Sequence, residues 1–430
     1  MRVVEKKYLL PFCLVTSLFL LWGIANNMTD TLLSAFKRIM SMSDTQTSLI
    51  QFAFYGSYFC FAIPAALYIR KYSYKAGVIL GLCLYAAGAI LFFPAAKTAS
   101  YAFYLVAIYI LAGGCSILET TANPYILSMG APETATRRLN VAQAFNPMGS
   151  ITGILLSQFF ILSELSSATA DERAMMSQEQ LEAMQAHELG AVTGTYMTLG
   201  FVLLAIMVVM LFAKMPKGSD SGSDDGLVET FKRLFSNKQY GWGVVAQFFY
   251  VGAQIGIWSF TIRIVMQEMG ILEAEAASIY LYAIIGFCAS RFIYTWLMKY
   301  FRPSSLLAFG GIMSVICSLV VAFGQGTGWI LVVFLMLISF FMSLMFPTIY
   351  GIALGVISEG EHPEDSKIGA SGLIMAILGG ALITPVQGMI SDRCGIYTSY
   401  LVPAFCFVVV LLYALYVMRV EKAEKKSQLN

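Results

Sequence analysis

The chain has 430 residues, of which 58% are hydrophobic and only 12% charged, and its mean hydropathy is +0.73. This composition excludes an ordinary soluble globular domain and points to a polytopic membrane protein. A formal net charge of +2 carries no message about nucleic acid or an acidic partner.

About 20 largely apolar residues take a helix across the hydrocarbon core of a bilayer. On that criterion the sequence predicts twelve spans, near 9–36, 46–69, 76–95, 101–129, 139–163 and 191–213, then near 240–268, 274–298, 304–323, 329–357, 367–391 and 397–418. The start of the first resembles a signal peptide, with basic residues ahead of an apolar run from Leu9. It lacks a small-residue cleavage site and the run continues to Asp30, so it reads as a retained span.

Two gaps between spans are long. Residues 164–190 are polar, and a short surface helix is expected after the cap-like Ser177. Residues 214–239 pass through Ser219-Asp220-Ser221-Gly222-Ser223-Asp224-Asp225-Gly226, which reads as a flexible linker. The expected organisation is a six-helix bundle over 1–213, a cytoplasmic linker over 214–239 and a second six-helix bundle over 240–430. The halves echo each other: Lys71-Tyr72 and Lys299-Tyr300, Pro124 and Pro347, and Pro147 and Pro385 are separated by 228, 223 and 238 positions. Together these matches suggest a duplicated six-span unit.

Basic residues set the expected orientation. Counting loops alternately, one side collects 20 of the 27, among them Arg70, Lys71, Arg137, Arg138, Lys232, Lys238 and Lys299. The other holds only Lys37, Arg38, Lys97, Arg173 and Arg393, and Arg263 and Arg291 fall within spans. The bias places both termini in the cytoplasm.

An ionisable group inside a span is costly unless it meets a partner or a water-filled cavity. Glu119, in the fourth span, stands near the middle of its apolar run within Leu118-Glu119-Thr120-Thr121-Ala122-Asn123-Pro124-Tyr125. It reads either as half of a buried ion pair or as a group that binds and releases a proton, since burial disfavours the charged form. Asp30 lies toward the outer end of the first span, where a carboxylate touching water is the bland reading. Asn26 and Asn27, one turn away, extend the polar face inward and favour a cavity-lining proton acceptor.

Further amides share helix faces with these groups. Asn123 follows Glu119 by four residues, Gln143 and Asn146 are three apart in the fifth span, and Gln247, Gln254 and Trp258 line one face of the seventh. Amides and carboxylates interleaved with aromatic rings suit a neutral polyol, which is bound through its hydroxyls and by ring packing against its C–H faces. Arg263 and Arg291 are expected to face the interior or to snorkel. Gly149, Gly153, Gly379 and Gly380 are expected to allow close packing of spans five and eleven. No phosphate-binding loop, Ser/His/acid set or metal-ligand cluster accompanies them, so neither an enzyme nor a cofactor or metal site is expected.

At these residues the chain closely resembles the L-fucose:proton symporters of the major facilitator superfamily, within the fucose/galactose/glucose transporter group. The resemblance covers nearly the whole length and is carried by Ala25-Asn26-Asn27-Met28-Thr29-Asp30, Leu49-Ile50-Gln51-Phe52-Ala53-Phe54-Tyr55, Leu118-Glu119-Thr120-Thr121-Ala122-Asn123-Pro124, Leu139-Asn140-Val141-Ala142-Gln143-Ala144-Phe145-Asn146 and Val251-Gly252-Ala253-Gln254-Ile255-Gly256-Ile257-Trp258-Ser259. It implies an all-α membrane protein with twelve helices in two pseudo-symmetric bundles, working by alternating access as a monomer in a bacterial inner membrane. The implied partners are a sugar, a proton and the lipid bilayer, with no nucleic acid. The family's two coupling carboxylates match Asp30 and Glu119, and its helix-five asparagine matches Asn146. Related glucose/galactose carriers have a glutamine where Glu119 stands, so the acid favours the proton-coupled fucose branch. One departure is Phe346, which stands where the fucose carriers place a sugar-contacting tyrosine. The expectation is a proton-coupled importer of a monosaccharide, L-fucose first. A glucose/galactose carrier and a non-transporting sugar sensor are the alternatives.

Overall fold

The computed structural model describes residues 4–40, 44–98, 100–166, 168, 172–173, 175–215 and 226–429; for 29–34, 37–38, 44–48, 51, 273–274 and 428–429 only the backbone is described. Among the described residues, twelve helical segments are long and apolar enough to cross a bilayer. They are α1 (Leu9–Ile39), α2 (Asp44–Lys71), α3 (Tyr74–Thr98), α4 (Tyr101–Leu127), α5 (Pro132–Glu164) and α6 (Gln178–Phe212), then α7 (Lys238–Met269), α8 (Glu273–Leu297), α9 (Pro303–Phe323), α10 (Trp329–Ser358), α11 (Pro363–Cys394) and α12 (Leu401–Leu429). Among the described residues there is no strand.

Local chemistry sets several of the starts. The Ser73 hydroxyl accepts from the Ala76 amide at 3.1 Å at the head of α3, and Asn237 Oδ1 accepts from the Tyr240 amide at 3.0 Å at the head of α7. Ser177 and Gln180 form a reciprocal capping box. That cap opens the sixth span itself, a helix of 35 residues, rather than the short surface helix that the polar composition suggests. His187 therefore stands on α6, where it pairs with Glu164 at 3.3 Å.

Glycines set the tightest crossings, and they do so alike in both halves. A Cβ at Gly149 of α5 would overlap the Leu20 carbonyl of α1, and one at Gly23 would overlap the Asn146 carbonyl. In the second half a Cβ at Gly379 of α11 would overlap the Phe248 carbonyl of α7. Where lipid supplies no hydrophobic drive between helices, such backbone-to-backbone approach is a main source of packing energy.

Prolines follow a break in one helix of each half. α5 is divided into Ala135–Gln143 and Phe145–Phe160, and α10 into Trp329–Met342 and Met345–Ser358. Pro147 follows Gln143 by four residues, and Pro347 follows Ser343 by four. Each proline lacks the N–H that the earlier carbonyl would receive in a continuous helix.

Between the halves, the expected flexible linker holds a ten-residue helix, Leu227–Ser236. Its Arg233 grips Asp365 of α11 through two bonds, Nε to Oδ2 at 2.7 Å and Nη2 to Oδ1 at 2.9 Å. Arg70 at the end of α2 reaches Thr230 on the same helix at 3.5 Å. The Gly/Ser/Asp run at 216–225 lies outside the described residues.

Candidate functional site

Helices of both halves surround a polar cavity of about 970 Å³, the opening at its mouth included. Glu119 reaches it from α4, where every residue from Leu111 to Leu127 is buried. The apolar run that makes α4 a central helix is what makes its one carboxyl group conspicuous.

Of the residues singled out in the sequence, Asn26, Asn27, Gln143, Asn146, Gln254 and Trp258 line the cavity together with Glu119. They come from α1, α5 and α7, so spans far apart in sequence converge. The Trp258 indole donates to Ser339 Oγ at 3.4 Å and meets Phe287 edge-on with centroids 5.1 Å apart, which fixes the ring against the cavity wall. Asp30 lies on α1 one turn beyond Asn26, but its side chain lies outside the described residues.

Asn123 stands apart from the lining residues. It is fully buried, its amide donates to the Glu119 carbonyl at 2.9 Å, and its Oδ1 accepts from Gln143 Nε2 at 2.8 Å. Its place is behind Gln143, holding that side chain's amide nitrogen inward and leaving its oxygen for the cavity. Gln247, two turns before Gln254 on α7, is buried and also does not reach the cavity.

Two lining atoms have polar capacity to spare. Glu119 Oε2 and Asn26 Oδ1 are buried with no hydrogen-bond partner, and no cation stands within ion-pair distance of Glu119 among the described residues. The reading of Glu119 as half of a structural ion pair therefore finds no partner. The buried Tyr58 also lines the cavity, with its hydroxyl beside the Glu119 carboxyl. These groups form a concave, apolar-walled surface with a few converging acceptors and donors, which suits a small neutral polar molecule.

Arg291, for which the sequence offers no partner, closes one end of this space. It is 3% exposed, donates through Nη1 to the Gln143 carbonyl at 3.1 Å and through Nε to Ser343 Oγ at 3.2 Å, and lies over the Phe287 ring at 4.8 Å. Both partners stand at the helix breaks four residues ahead of Pro147 and Pro347. The carbonyl that Pro147 leaves unbonded thus becomes the acceptor for a buried guanidinium from the other half. Farther along the same end, Asn140 Nδ2 donates to Thr348 Oγ1 at 3.2 Å and Arg137 Nε to the Thr295 carbonyl at 3.2 Å, both across the halves. The end that carries the α4–α5 and α10–α11 connections is therefore sealed. Arg263, by contrast, is exposed near the far end of α7 with its guanidinium 5.2 Å from the Phe260 ring, the snorkelling alternative.

The lining also includes Phe346, the position that the resemblance singled out, and Tyr55, Ser150 and Phe287, for which the sequence assigned no role. Aromatic residues are too common at lipid-facing positions for their type to signal a cavity, and only the fold separates the two uses.

The Major Facilitator Superfamily model matches residues 12–375. The chain is 44% identical over 427 residues to an L-fucose-proton symporter of Haemophilus influenzae, covering 96% of this chain and 97% of the relative. It is 39% identical to an L-fucose-proton symporter of Escherichia coli, covering 95% and 93% of the two chains. The crystal structure of the transporter FucP in the outward conformation superimposes with a TM-score of 0.87 at 38% identity, over 96% of this chain and 99% of that one. With twelve spans and these relatives, the chain is a multi-pass membrane protein.

Proposed function

Because the chain belongs to the major facilitator superfamily, we propose that it is a proton-coupled symporter that imports a monosaccharide, L-fucose, by alternating access. The observation that carries this reading is the Glu119 carboxyl, with no cation beside it among the described residues and Oε2 without a partner, in a cavity walled by both halves, in a chain whose relatives are named for L-fucose and proton symport.

In this scheme a proton from outside neutralises Asp30, while Glu119, Asn146 and the neighbouring amides hold sugar hydroxyls. The sealed end, held by Arg291, Asn140 and Arg137, opens when proton and sugar together favour the inward-facing arrangement more than either does alone. The present arrangement is then the outward-facing one. The excess of basic residues on the sealed side supports cytoplasmic termini, in a bacterial inner membrane. The scheme uses the cavity of a single chain, and a monomer is the working unit proposed. Phe346 lines the cavity beside Tyr250, with ring centroids 6.4 Å apart, so the hydroxyl absent at that position is absent from the sugar site itself.

The test is uptake of labelled L-fucose into vesicles under an imposed pH gradient, with L-galactose, D-arabinose, D-glucose and D-galactose as competitors. Uptake that follows the gradient and is lost in Asp30→Asn is expected. Uptake indifferent to the gradient, or undiminished in that variant, defeats the coupling. Stronger competition by D-glucose than by L-fucose defeats the sugar assignment.

A further inference from the structure

The helix Leu227–Ser236 has three faces. Thr230 and Leu234 are buried against the bundle, while Glu229, Lys232 and Ser236 are exposed and polar. Val228, Phe231 and Phe235, spaced by three and four, share the remaining face, and Val228 and Phe235 are 81% and 69% exposed.

That face runs into an apolar groove with walls from both halves: Phe59 and Ile63 of α2, Phe231 and Phe235 of the linker helix, and Val244 and Phe248 of α7. Among the described residues, no charged side chain lines it. Tyr240, a polar side chain on its wall, donates its hydroxyl to the Gly369 carbonyl at 2.7 Å.

The groove's depth is fixed by the chain. Asn237 alone separates the linker helix from α7, which crosses the bilayer, so the helix lies at the membrane boundary. Trp242, 57% exposed one turn into α7, marks the same level.

Cations crowd that boundary. α2 ends in Arg70-Lys71, the linker helix carries Lys232 and Arg233, and α7 begins at Lys238. Asp365 is already taken by Arg233, and Glu229 is the acid these elements place at this boundary, since Asp44 of α2 and Glu268 of α7 stand at the opposite ends of their helices. Lys232 and Lys238 are exposed and, among the described residues, pair with no carboxylate. An apolar slot at the interface with unneutralised ammonium groups beside it complements an anionic amphiphile.

We propose that this groove binds an anionic glycerophospholipid of the surrounding bilayer, one acyl chain lying between α2 and α7 and the phosphate facing Lys232 and Lys238. The linker helix lies in the plane of the same leaflet on its Val228–Phe235 face. Because the walls come from both halves, the bound lipid favours the arrangement in which α2 and α7 are apposed.

The test uses the full chain in detergent with equal dioleoyl phosphatidylglycerol and dioleoyl phosphatidylcholine, counting retained lipid by native mass spectrometry. Phosphatidylglycerol should be retained about thirty-fold over phosphatidylcholine, as expected for two interfacial lysines. The paired substitutions Lys232→Gln and Lys238→Gln should erase that preference without lowering phosphatidylcholine retention. Phe235→Glu, at an exposed position, should lower retention of both lipids. Sugar binding unchanged in each variant shows that the fold is intact, whatever the sugar proves to be. Equal retention of the two lipids by the unaltered chain, a preference that survives loss of both lysines, or retention indifferent to Phe235→Glu overturns the proposal.

Discussion

Glu188 and Glu119 are both buried carboxyl groups on spanning helices, Glu188 toward the start of α6 and Glu119 within the apolar run of α4, and their surroundings are opposite. Glu188 of α6 is fully buried and closed off: Arg173 meets Oε1 at 2.6 Å and Oε2 at 3.0 Å, and the Ser166 amide donates to Oε1 at 2.8 Å. Glu119 is 6% exposed, faces the cavity, and keeps Oε2 without a partner. Burial alone therefore does not mark a working acid. A carboxylate with its guanidinium in place is a structural unit, and one left open to a hollow is available to a proton or a hydroxyl.

The contrast is broken most directly at the closed pair. Arg173→Ala strands a buried charge, and unfolding by chaotrope should show a loss of about 3–5 kcal/mol. The protein that remains folded should still take up sugar in response to a pH gradient. A variant as stable as the parent means that Glu188 is not sealed. Glu119→Gln should have the opposite sign, leaving stability unchanged or raised because no partner is abandoned. Glu119→Ala should weaken sugar binding by about 1.5–3 kcal/mol, the range for hydrogen bonds to a charged group, read by isothermal titration. A large stability loss at Glu119 instead reveals a partner and removes the distinction. The smallest effect is expected at Asn123→Ala, which frees the Gln143 amide and should weaken binding by about 1 kcal/mol without altering the pH response. Sugar binding abolished there puts Asn123 in contact with the sugar.

Much of the frame was legible beforehand because hydrophobic run length is nearly sufficient to place a span. Glu119 and the amides at 26, 27, 143, 146 and 254 were legible for the complementary reason, since polar groups in such runs need a cavity. Asn123 was misplaced by a helical step: a spacing of four gives a rough shared face but does not say which neighbour intervenes, and Gln143 does. Arg291 was out of reach because its partners are a side chain 52 residues away and a carbonyl 148 residues away, the latter freed by a proline. The linker helix was hidden by its Gly/Ser/Asp neighbours, although Val228, Phe231, Leu234 and Phe235 carry a helical stripe that a shorter window reveals.

Coupling is assigned to two acids, Asp30 taking the proton and Glu119, which holds the sugar, linking the two. It is read most directly as the pH of a weakly buffered suspension of de-energised vesicles when L-fucose is added. Alkalinisation of the medium is expected with the parent chain, and none when Asp30→Asn and Glu119→Gln are combined in a chain that still exchanges sugar. Alkalinisation of undiminished size in that double variant rules the assignment out.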